Sequence, residues 1–194
     1  PGSPTEAELN VRDAELTEFL KRQDITVELL LEAAKKPGCY FEHDYGRPSI
    51  DMLLTELKQL RDAARLLALD ARVQADQGEL GESFERIDAI FAMAEHAGSE
   101  PILISMLVAA AIDRQALDTM QNLVEGRTIP SEAVNRLDLN SPLSYRRLYE
   151  RSLRMEEAFG ASVFCDVALG ELSIAVLDGG AISERWPVFS AGVG

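Results

Sequence analysis

Residues 49–98, SIDMLLTELKQLRDAARLLALDARVQADQGELGESFERIDAIFAMAEHAG, decide the fold. Ile50, Leu53, Leu57, Leu60, Ala64, Leu67 and Ala71 recur at steps of three and four, which places them on one face of an α-helix. Leu54, Leu66 and Leu69 widen that seam into a core-facing stripe. Ser49 suits the cap of this helix, because its hydroxyl can accept from an orphan amide of the first turn. Gly78 is a natural stop, since glycine enters the left-handed conformation without steric cost. Leu80, Phe84, Ile87, Phe91 and Ala94 then continue the same rhythm up to Gly98. The stretch predicts a helical hairpin.

The flanks are punctuated in the same way. Helices are expected over residues 5–22 and 25–36, broken near Gln23-Asp24. Pro101 fits the first turn of a helix running to Glu125, with Gly126 closing it. A short helix is predicted over 131–138, and Ser141-Pro142 forms a cap and first-turn pair. Tyr145, Leu148, Ser152, Met155 and Phe159 carry a last helix from there. Between residues 37 and 48, PGCYFEHDYGRP reads as an ordered loop whose aromatics pack into the core. The run LSIAVLD, 172–178, fits either a strand or a buried helix. Helices joined by short turns must bury their stripes against one another. The expected fold is all-α: an antiparallel helical array, an α-solenoid-like bundle of about seven helices. Within the hairpin, Ala71, Gly78, Leu80 and Ser83 stand roughly where a tetratricopeptide hairpin carries its small, glycine, large and small residues. The match fails at other consensus positions and does not repeat at the period of about 34 residues.

The domain is expected over residues 5–169, with 1–4 read as disordered or a cleavage scar. From Gly170 onward the chain holds four charged residues in 25 and the single Trp186, so this tail needs an apolar surface, on the domain or on a partner. The chain of 194 residues carries 19 Lys+Arg against 33 Asp+Glu, a formal charge of −14. That balance argues against a nucleic-acid partner, which requires a basic face. The longest uncharged apolar stretch in a helical context, Pro101–Ile112, is about half of what a bilayer crossing requires, so no transmembrane segment is expected.

The segments PGCYFEHDYG, LTELKQLRDAARLLALDARVQADQGELGESFERIDAIFAMAEH and EPILISMLVAAAIDRQALDTMQNLV resemble a family of uncharacterised bacterial proteins, over roughly residues 25–160. The resemblance implies an all-helical domain behind a removed or anchoring N-terminal hydrophobic segment, and hence an extracytoplasmic compartment. It implies no activity and no site residues.

Chemistry has few candidates. Cys39 and His43 share a loop with Glu42 and Asp44, so a thiol, an imidazole and carboxylates lie close in sequence. The plainer reading makes Cys39, Tyr40 and Tyr45 packing residues and leaves His43 exposed. Cys39 and Cys165 lie in no CxxC pattern; they read as two separate thiols, or as one disulfide if the compartment is oxidising. His96 ends a helix, where a cation is favoured by the macrodipole. The acidic pairs Glu6/Glu8, Glu82/Glu85 and Glu156/Glu157 read as solvated faces. Arg147, Arg151 and Arg154 fall on one helix face, suited to acidic neighbours or to an anionic ligand or partner. No nucleotide-binding, hydrolase-elbow or zinc-protease motif is present, and no metal or cofactor is expected.

Three readings follow. The first is a non-catalytic extracytoplasmic interaction domain that binds a protein or peptide. The second is a binding protein for an apolar or anionic small molecule held between helices. The third is an enzyme using Cys39 and His43. A homodimer formed through the tail is compatible with each.

Overall fold

The computed structural model describes residues 6–43, 45, 54–137 and 144–171. Among these residues the chain is all-helical, with no strand. Its seven helices are α1 (Glu6–Arg22), α2 (Asp24–Ala34), α3 (Thr55–Asp76), α4 (Leu80–Gly98), α5 (Leu103–Val124), α6 (Ser131–Val134) and α7 (Tyr145–Ala168). Ser49, the Ser141-Pro142 pair, the 172–178 run and the tail beyond Glu171 lie outside the described residues, but α3 is entered from Leu54 and α7 from Ser144, so neither helix begins at its expected cap.

The core is a three-helix unit of α3, α4 and α5, each packed on the other two. Leu57, Ala64, Leu67 and Ala71 of α3 are buried along the predicted seam, Leu60 is partly buried, and Ala75 extends the seam one turn further. On α4, Ser83, Ile87, Ile90, Ala94 and Ala97 form one buried stripe, and Phe84, Ala89 and Met93 are buried beside it. That breadth makes α4 the central helix, with α2 and α6 also lying against it. Phe91, expected on the α4 core face, is only partly buried, because the buried stripe runs one position to its side.

The α3–α4 hairpin is closed by backbone chemistry. Gly78 sits at φ 88°, the left-handed region that glycine alone enters freely. Glu79 N–H donates to Gln74 O at 2.8 Å and Gly78 N–H to Ala75 O at 3.1 Å, satisfying carbonyls that the helix end leaves open. Ala71 and Ser83 are both fully buried where the helices meet, and the Ser83 hydroxyl donates to Ala71 O at 2.7 Å. Small side chains here let the two backbones approach closely enough for that bond. Arg86 spans the same hairpin to Asp70 at 2.7 Å.

The start of α5 and the length of α6, expected over 131–138, differ from expectation. α5 begins at Leu103, two residues past Pro101, because Ile102 is extended at φ −108° and ψ 152°. α6 is only a single turn, entered from Pro130. α7 packs on α5, and two contacts set their antiparallel register. Leu103 N–H donates to Glu156 Oε1 at 3.0 Å, and the Tyr145 hydroxyl to Asp113 Oδ2 at 2.5 Å.

Candidate functional site

Of Arg147, Arg151 and Arg154 on α7, Arg151 has hydrogen-bond partners among the described residues. Arg151 donates through Nη2 to Gly98 O, and at 3.3 Å to Glu100 O. These carbonyls belong to the C-terminal end of α4 and the turn after it, where a cation is favoured and an orphan acceptor needs a donor. Arg151 therefore fastens α7 to the α4–α5 corner through backbone carbonyls, where acidic side chains were expected. Arg147 and Arg154 are exposed and make no hydrogen bond or ion pair with another described residue. Two open grooves, of ≈ 320 Å³ beside Arg72 and Arg127 and of ≈ 260 Å³ beside Lys21 and Asp70, include none of the three arginines.

The loop at 39–45 packs differently from expectation. Tyr40 is 79% exposed, because the short loop can turn only some of its side chains inward. His43 is largely buried and paired, Nε2 to Glu56 Oε1 at 3.0 Å, with the Tyr45 ring edge-on at 5.8 Å. The expectation of an exposed His43 fails because its partner, Glu56, comes from α3 and not from the loop. Ser99 donates to Cys39 O at 3.1 Å, and His96 Nε2 lies 3.2 Å from Lys36 O. His96 thus ties the loop to the end of α4 in addition to terminating that helix.

Glu100 lies under this loop, 4% exposed. Burial holds its carboxyl above the ordinary range, against the opposing pull of His43, the Phe41 N–H and Arg151. Its Oε2 and the Tyr45 hydroxyl are both buried without a hydrogen-bond partner. Burial, and then the Glu100 carboxylate, push the Cys39 thiol up as well, the opposite of what an activated nucleophile requires. His43 is bonded to Glu56 and makes no hydrogen bond with Cys39. The thiol and the imidazole share a loop but form no nucleophile–base pair. Cys39 and Cys165 are both free thiols. Among the described residues no group of three or more His, Cys, Asp or Glu converges to hold a metal ion.

The surface that stands out is apolar. Ile104 and Leu107 of α5 are 47% and 53% exposed, and Tyr145, Tyr149 and Leu153 of α7 are 39%, 49% and 44% exposed. Each set repeats at helical spacing, and the α5–α7 register places Leu107 level with Ser152, between Tyr149 and Leu153. On a helical wheel both sets fall on the outer side of the α5–α7 seam, with Arg147 and Arg154 around the far side of α7. Sequence reading missed this seam. Its signal was present, as a second apolar line on α7 at 145, 149 and 153 beside the core line at 148, 152, 155 and 159.

Three of the acidic side chains make contacts on the surface. Glu82 holds Arg86 at 2.6 Å and Arg136 at 3.4 Å, Glu85 holds Lys35 at 3.1 Å, and Glu156 caps α5. Among the described residues no helix is long and apolar enough to cross a membrane. Compared with family models, curated proteins and solved structures, the chain matches none.

Proposed function

We propose that this chain is a non-catalytic interaction domain whose α5–α7 seam receives an amphipathic helix of a partner protein. One observation carries the reading: Ile104, Leu107, Tyr145, Tyr149 and Leu153 stay exposed together along one seam, where the register of α5 and α7 brings two apolar lines side by side. Tyrosine and leucine supply apolar area, and Arg146 and Arg114 nearby supply a polar rim, the composition that protein interfaces favour. From Tyr145 to Leu153 the seam runs about 12 Å, the span over which a helix presents anchors at i, i+4 and i+7. Cys39 and His43 support no catalytic alternative, and Arg151 has partners within the fold. An extracytoplasmic location belongs to the same proposal and rests on the family resemblance.

The test places a photoreactive residue at Leu107 of the full-length protein in its native cells, with Gln59 on α3 as the control site. The reading expects an adduct at 107 and not at 59, mapped to the apolar face of a helix in one protein. The isolated partner segment should then bind the purified domain, and Leu107→Glu should weaken that binding at least tenfold. Equal labelling at both sites, or binding unaffected by Leu107→Glu, would overturn it.

A further inference from the structure

The second half of α7 overhangs the bundle. Glu156 is level with Leu103, the first residue of α5, so Glu157–Ala168 runs past the start of its supporting helix for about 18 Å. Among the described helices α7 packs extensively only on α5. Yet this overhang carries Phe159, Val163, Phe164 and Val167, with Leu169 at its C-cap, and Phe164 and Leu169 are each 73% exposed. An isolated helical stretch of this length is marginal in water and needs an apolar surface against it.

A glycine turn ends α7. Gly170 sits at φ 75°, Glu171 N–H donates to Asp166 O at 2.8 Å, and Gly170 N–H donates to Val167 O at 3.1 Å. These bonds satisfy carbonyls that the end of α7 leaves open. The residues that follow, 172–194, include Leu172, Ile174, Val176, Leu177, Trp186 and Phe189, with Asp178, Glu184 and Arg185 as their only charged side chains. Fully extended they reach about 75 Å, several times the overhang.

We propose that the overhanging half of α7 is the docking surface for the chain's own segment 172–194. Three features select this occupant over a second copy. The segment is apolar, it begins directly after Glu171 at the end of the overhang, and its tether gives it an effective concentration of about a millimolar. Two copies of a chain of charge −14 would also repel each other in forming such a contact.

Trp186 is the only tryptophan, so its fluorescence reports on the segment directly. The inference expects emission to the blue of free tryptophan, unchanged on hundredfold dilution. Phe164→Glu and Leu169→Glu should each move it to the red while far-ultraviolet circular dichroism keeps its helical signal. Tyr149→Glu, on the separate seam, should leave it unchanged. Hydrogen exchange gives a second readout: ending the chain at Glu171 should cost the amides of 157–168 at least tenfold in protection, while those of α3–α5 hold. Free-tryptophan emission in the unaltered chain, no response to either Phe164→Glu or Leu169→Glu, or a blue shift lost on dilution would each overturn the proposal.

Discussion

Replacing Arg151 with methionine separates a fastening role from a ligand-binding one. Methionine keeps the length of the aliphatic stem and deletes the guanidinium, so Gly98 O and Glu100 O both lose their donor. A hydrogen bond from a charged group contributes about 1.5–3 kcal/mol where buried, and an acceptor left without a donor costs about 1–3 kcal/mol. The Arg151 side chain is exposed along much of its length, so water can replace part of the loss. The expected destabilisation is about 1–2 kcal/mol, or about 2–8 °C in Tm for a domain of this size. Arg147→Met, four residues earlier on the same face, should stay within about 0.5 kcal/mol. Urea unfolding followed by circular dichroism measures both variants. Arg151→Lys should recover only part of the loss, since an ammonium cannot span both carbonyls with one planar group. If Arg151→Met and Arg147→Met unfold at the same denaturant concentration, the guanidinium does not hold the α4–α5 corner and the reasoning fails.

Three further outcomes are expected. Ile90→Ala, at a fully buried position of the central helix, should destabilise by about 2–5 kcal/mol in the same unfolding assay. Gly78→Ala should cost about 1–2 kcal/mol by thermal unfolding. An added Cβ would meet nothing within 4 Å, so the backbone at φ 88° alone sets that loss. For Glu100 the sign follows from its raised folded-state pKa. The protonated carboxyl is favoured in the fold, so that contribution is present below the ordinary value of 4.5 and is lost as pH rises through the folded value. Glu100→Gln should therefore gain stability relative to the unaltered chain as pH climbs above 4.5; a difference that is flat across pH would refute the burial argument.

Periodicity located most of the helices because each buries a stripe, and a stripe is a one-dimensional pattern. The Leu57–Ala71 seam, the Gly78 stop and the Ala71–Ser83 approach were legible for that reason. The breadth of α4 was not, since a central helix is buried on several sides and its pattern blurs toward uniform apolarity. Pairings between distant segments were also invisible. His43 finds Glu56 thirteen residues away, and Arg151 finds carbonyls more than fifty residues away. Spacing along the chain says nothing about a backbone acceptor. The α5–α7 seam was half legible: the line 145, 149, 153 is in the sequence, but only the register with α5 shows that it remains uncovered.

The most direct test of the seam as an interface is hydrogen exchange on the domain alone and with the partner segment identified by cross-linking from Leu107. The account predicts slowed exchange confined to residues 103–111 and 145–156, absent in Leu107→Glu. Protection falling instead on α3 or on the 39–45 loop, with the seam unchanged, would contradict it.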